Sequence, residues 1–157
     1  MADPTPPITD TSASVVESFL YAVMRDKNFD VAGELLADDV VYENVGYPTM
    51  RGAERILKTF RSSAARVPFI SWDVEFHRIA SEGAVVLNER TDSLIVGRFR
   101  AHFWVCGVFE VHNGRITLWR DYFDVLDMIK GTIRGLAGMA IPALRHRSRG
   151  NSSRRGA

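Results

Sequence analysis

At 157 residues and 17.6 kDa, with 46% hydrophobic and 25% charged residues, the chain has the size and balance of one globular domain; that excludes both global disorder and a comfortable two-domain layout. Cys106 is the only cysteine, so no disulfide framework is available, and four scattered histidines cannot complete a four-ligand zinc cluster with it. The net charge of +1 is uneven: five arginines and no acid lie between Arg145 and Arg155, leaving 15 basic against 19 acidic residues, a mildly acidic body with no nucleic-acid footprint.

In chain order, residues 1–11 hold Pro4, Pro6 and Pro7 and little to bury, and are expected to be disordered. This N-terminus also lacks the basic-then-apolar order of a signal peptide, which with the short apolar runs elsewhere predicts a cytoplasmic protein. Ser14 and Glu17 have capping-box spacing, ahead of a helical stripe of Val16, Leu20, Val23 and Met24 with Val15 and Phe19 alongside. Asn28 and Asp30 offer a break and a new N-cap before a short helix carrying Val31, Leu35 and Leu36. A third helix is expected from Gly52 to about Ser62, with Ile56, Leu57 and Phe60 facing inward.

Strand patterns follow, with one short strand already at Val40 to Val45. Residues 69–80 alternate, placing Ile70, Trp72, Val74 and Phe76 on one face. Ser81-Glu82-Gly83 turns the chain into 84–96, and Gly97-Arg98 precedes a long strand to Val111. His112-Asn113-Gly114 is a strong hairpin signal before 115–124. Helices first and antiparallel strands after predict an α+β domain over residues 12–127, with helices packed on a strongly curved sheet that forms a cone with an interior pocket. Residues 128–144 are apolar, with Lys130, Arg134 and small glycine and alanine steps. They suit a helix over the pocket mouth, a subunit contact or a membrane-surface segment. Residues 145–157 read as a basic, disordered tail with a weak affinity for anionic membranes.

Side chains two apart on a strand share a face. Tyr42 and Asn44 therefore point together; so do Arg90 and Asp92, in phase with Ala84, Val86 and Leu94; so do Trp119 and Asp121, in phase with Phe123. An Arg-x-Asp step alone is usually a surface ion pair. Three strands each placing polar groups among apolar neighbours make a buried polar pocket an even alternative, because such conflicts with binary patterning gather at functional sites.

The segment Asn88-Glu89-Arg90-Thr91-Asp92, the run from Trp104 to Val108, the stretch from Gly114 to Asp124 with its Trp119-Arg120-Asp121-Tyr122-Phe123-Asp124, and Tyr42-Glu43-Asn44 resemble the limonene-1,2-epoxide hydrolase family. The likeness runs from about Ser14 to Asp127. It implies an NTF2-like fold with a mixed, mostly antiparallel sheet, a homodimer and no cofactor or metal. Carried over by position, it makes Asp121 the base, Asp92 the acid and Arg90 the bridge between them, with Tyr42 and Asn44 holding the attacking water. Such a set would add water to a lipophilic epoxide in one step. Trp119, Phe123 and Leu94 would form the substrate wall, with Phe103 and Val105 as further candidates. A ketosteroid-isomerase-like proton shuttle and a non-catalytic carrier of lipophilic ligands are the other uses open to the same pocket.

Overall fold

The computed structural model describes residues 11–140. Helix α1 (Thr11–Leu20) runs directly into a π-helical turn, Tyr21–Arg25, and together they bury Val16, Phe19, Leu20, Ala22 and Val23. The helix is already formed at Thr11, so Ser14 lies inside it and not at the N-cap position expected from the capping-box spacing. The wider π turn is tied down by Arg25, whose Nε donates to Asp73 Oδ1 at 2.7 Å and Nη2 to the Val74 carbonyl at 2.9 Å. Asn28 caps α2 (Phe29–Glu34) by accepting from the Val31 N–H at 3.2 Å, and Asp30 in the first turn suits the positive end of the helix. Leu36, expected in that helix, opens β1 instead. Helix α3 (Ala53–Arg66) extends four residues beyond the predicted end and buries Ile56.

The strands are β1 (Leu36–Asn44), β2 (Met50–Arg51), β3 (Ile70–Glu82), β4 (Val85–Val96), β5 (Phe99–His112) and β6 (Arg115–Phe123), in the order β2-β1-β6-β5-β4-β3. Every neighbouring pair is antiparallel except β1 with β6. The β5–β6 turn has positive φ at both central residues, 51° at Asn113 and 75° at Gly114, the geometry that an Asn-Gly hairpin turn requires. A register shift between Phe76 and Arg78 lets both Phe76 and Ile79 pack against the core. The result is a curled, unclosed sheet whose concave face is filled by α1 to α3 through Val16, Phe19, Leu20, Ile56, Phe109, Ile116 and Trp119. The expected α+β layout is the observed one.

Helix α4 (Val125–Ala140) covers the part of β5 that β6 leaves bare. Phe123 pairs with Val105, so Phe99 to Trp104 run on past the end of β6. Asp127 Oδ2 accepts the free Trp104 N–H at 2.9 Å. Gly131 and Gly135 let the helix approach the strand backbone: a Cβ there would stand 2.3 Å from the His102 oxygen and 2.5 Å from the Arg100 oxygen. Met128 faces the pocket, whereas Leu126, Ile129, Ile133 and Leu136 remain exposed. Thr11, expected in the disordered N-terminus, opens α1 instead; the expectations for residues 1–10, for 141–144 and for the tail 145–157 fall outside the described residues. Among the described residues no helix is long and apolar enough to cross a membrane.

Candidate active site

Strand register decides which side chains meet on the concave face. Asn88, Gly107, Asp121 and Asn44 form one row across β4, β5, β6 and β1; Val86, Phe109, Trp119 and Tyr42 form the next. On the other side come Arg90, Val105 and Phe123, then Asp92 and Phe103. The five polar residues singled out from strand phase and family likeness therefore converge in one place. Four of them are buried, Arg90 at 1% exposed, Asp92 at 4%, Asp121 at 5% and Tyr42 at 8%, and Asn44 is half-buried.

Arg90 lies two strands away from Asp121, roughly 10 Å of backbone separation. It bridges that gap by laying its guanidinium across β5 where Gly107 has no side chain. Its Nε donates to Asp92 Oδ1 at 2.9 Å and its Nη2 to Asp92 Oδ2 at 3.3 Å. The same Nη2 is 2.8 Å from Asp121 Oδ2, and Nη1 donates to Asn88 Oδ1 at 2.9 Å. Asp121 Oδ2 also accepts the Trp119 indole N–H at 2.8 Å, and Asn44 Nδ2 donates to the Tyr42 hydroxyl at 2.6 Å. Two buried polar atoms here have no partner in the protein, Asp121 Oδ1 and Asn88 Nδ2.

The charges are unequal by construction. Burial pushes the Asp92 carboxyl above the usual aspartate range, against the pull of Arg90, and the Asp121 charge adds to the rise. Burial works against the Arg90 cation, but the Asp121 and Asp92 charges together outweigh it and keep the guanidinium protonated. Burial and then Asp121 push the Tyr42 phenol upward, so it stays a neutral hydroxyl. One cation between two carboxyl groups is electrically balanced when the acids hold one proton between them. One acid biased toward its protonated form thus lies beside a second acid that shares its cation.

Tyr42, Asn44, Asp92 and Asp121 form the polar end of a cavity of about 420 Å³, within the range of small-molecule pockets, and Arg90 is not part of its lining. Trp119, Phe123, Phe103 and Val105 line it, as expected for a wall. Leu94 does not. It pairs with Trp72, which lines both this cavity and an adjoining one of about 260 Å³, and Leu94 sits in the latter. Val23, Met24, Met50, Phe60, Trp72 and Met128 complete the apolar lining and were not assigned to it from the sequence. Trp119 is held among Phe60, Phe109, Phe19 and Tyr42, with ring centroids 5.7, 6.2, 5.0 and 4.0 Å away, so the wall nearest Asp121 is rigid. Asn88 and Gly107 are the other residues missed. A glycine inside a strand pattern marks close approach, and that signal was available at Gly107. Among the described residues no group of three or more His, Cys, Asp or Glu side chains could hold a metal ion.

Comparison with known proteins places this geometry in context. A family model, the limonene-1,2-epoxide hydrolase catalytic domain, matches residues 10–134. The epoxide hydrolase EphG of Mycobacterium tuberculosis H37Rv is 53% identical over 130 residues, which span 83% of this chain and 85% of that protein. A solved LEH-like epoxide hydrolase of M. tuberculosis superposes with a TM-score of 0.80 at 48% identity, covering 92% of this chain and 100% of the other. An NTF2-like protein of Burkholderia pseudomallei shares the fold alone, with a TM-score of 0.65 at 17% identity over 79% of this chain and 98% of its own.

Proposed function

This chain belongs to the limonene-1,2-epoxide hydrolase family and is an epoxide hydrolase, and from that premise we propose that it opens a lipophilic epoxide to a vicinal diol in one step, by general acid–base catalysis and without a covalent intermediate. The observation that carries the mechanism is the asymmetry of the two acids. Asp121 has one oxygen fixed by Arg90 and Trp119 and the other, Oδ1, buried and unpaired. Asp92 is the acid whose burial favours its protonated form.

In this reading Asp121 Oδ1 takes a proton from a water held with the help of Tyr42 and Asn44. The water oxygen forms a bond to an epoxide carbon as the ring C–O bond breaks. Asp92 gives its proton to the departing oxygen, and Arg90 ties the two carboxyl groups into one unit. After the step Asp121 holds a proton and Asp92 has lost one, so a net proton transfer between them restores the starting state. The apolar wall of Trp119, Phe123, Phe103 and Val105 favours terpene, sterol or fatty epoxides. Holding the water in place replaces a search through solvent, and acid–base assistance contributes about 10²–10⁴-fold more.

The test is a panel of such epoxides turned over in ¹⁸O-water. The expected single-turnover product is a diol carrying one heavy oxygen, with no label in any protein carboxylate. A first-turnover diol without label, and labelled aspartate left behind, would rule out direct attack by solvent. Absence of any diol across the panel would reject the lipophilic substrate class.

Two finer features accompany the proposal, a homodimer and a cytoplasmic location. A second copy would cover Leu126, Ile129, Ile133 and Leu136 on α4, which are each more than half exposed in the single chain. Light scattering should give twice 17.6 kDa, with the protein recovered in the soluble cell fraction; a monomer mass refutes the dimer, and membrane-bound recovery refutes the location.

A further inference from the structure

Asn88 is 3% exposed and contributes nothing to the cavity lining, yet it is the only neutral partner of the Arg90 guanidinium among the hydrogen bonds that guanidinium makes. We infer that Asn88 is a positioning residue for epoxide opening: its amide oxygen pins Nη1 of Arg90 so that Nη2 stays on Asp121 while Nε stays on Asp92. The inference rests on the epoxide-hydrolase reading above and deepens it.

The geometry of the fork explains the need. A guanidinium held only through Nε and Nη2 is fixed along one edge and can still tilt about that edge, which turns the Nη2 N–H aimed at Asp121 out of line. A third anchor on Nη1 stops it. That anchor must be an acceptor, because Nη1 can only donate. It must also be uncharged, because a third carboxylate would compete for the one cation that two acids already share. An amide meets both conditions, and it leaves an NH₂ group to be accommodated. In Asn88 that NH₂ is buried and unpaired, a feature that packing alone would select against. Gly107 makes room for it, since a Cβ there would stand 2.8 Å from Nδ2 and 2.6 Å from Arg90 Nη1.

The titratable groups on the same concave face are Arg90 and Asp92 on β4, Asp121 on β6 and Tyr42 on β1; α1 and α3 contribute Val16, Phe19, Leu20 and Ile56 to the core packed over the sheet. Two variants read out the role. Asn88→Leu keeps the branched shape with somewhat more bulk and removes the acceptor, and kcat should fall about 10- to 100-fold with KM held within about threefold, because misplacing a catalytic group by an ångström has effects of this size. Asn88→Asp keeps the acceptor but adds a charge beside Arg90. It should lower kcat less than Asn88→Leu does near neutral pH, because the acceptor survives while the third carboxylate competes for the cation, and it should move the alkaline limb of the kcat profile upward, because the added negative charge holds the Asp92 proton more tightly. If the extra carboxylate prevents folding, the kcat-against-KM split of Asn88→Leu decides alone.

Folded variants with parental kcat and an unmoved alkaline limb overturn the inference, as does an Asn88→Leu whose whole defect is in KM. Failure of the parent protein to make any diol instead refutes the functional reading, so the two failures are distinguishable.

Discussion

Asp92→Asn and Asp121→Asn should each reduce diol formation by about 10²–10⁴-fold while the protein stays folded. Asparagine is close in shape to a neutral aspartic acid, and its oxygen can still accept from Arg90. Either single variant leaves the buried cation one carboxylate as a partner, which limits the loss of stability; the loss should be larger for Asp92→Asn, whose NH₂ must face one of two Arg90 donors. The double variant differs: it strands a buried guanidinium without a counter-charge, which costs about 3–5 kcal/mol and should appear as a large drop in melting temperature. Steady-state turnover of a lipophilic epoxide, alongside circular dichroism melts, separates the two effects. Near-parental activity in either folded single variant would remove that residue from the mechanism.

The pH dependence of the parent enzyme follows from the same pair. Burial raises the Asp92 carboxyl, so its neutral form persists above the ordinary aspartate range. As pH climbs through that raised value the proton donor is lost, and kcat must fall on the alkaline side. In Asp92→Asn this limb should disappear from the residual activity.

Gly107→Ala should lower kcat by about 10²-fold or more, a large effect for one methyl group. The new Cβ would lie 2.6 Å from Arg90 Nη1, 2.8 Å from Asn88 Nδ2 and 2.9 Å from Phe109 Cε2. The end of a long side chain can usually swing away from such a clash. Arg90 cannot do so freely, because it is 1% exposed and bonded to Asn88, Asp92 and Asp121 at once. Relief requires giving up at least one of those bonds, and overpacking of a buried site adds about 1–3 kcal/mol of destabilisation. A variant with parental kcat would show that the guanidinium has slack, and that its bridge across β5 is not needed in this form.

Much of the site was legible because it sits on strands, where a period of two assigns each side chain to a face. That rule put Tyr42 with Asn44, Arg90 with Asp92, and Trp119 with Asp121 before any pairing was known. It could not say which strands were neighbours. The β1–β6 contact is parallel and joins segments 77 residues apart, and no local pattern encodes it. Leu94 shows the limit from the other side: its phase is right, but Trp72 stands opposite and closes it off into a separate cavity. Val23 and Met24 are adjacent in sequence and both line the pocket from the π turn, an arrangement that the regular helical period does not anticipate. Ser14 illustrates a weaker inference, since capping-box spacing recurs inside helices by chance.

The parallel pairing of β1 with β6 also dictates when the site can exist. Tyr42 and Asn44 are made early during synthesis, whereas Trp119 and Asp121 follow 77 residues later, and Glu43 and Arg120 clasp the two strands at 2.5 Å. Between these two moments the nascent chain holds β1 without its eventual neighbour, beside helices whose apolar faces it can already cover. The long loop that must close gives the domain a high contact order and a correspondingly slow final docking step. Competence for chemistry therefore waits until β6 has been made and has docked against β1.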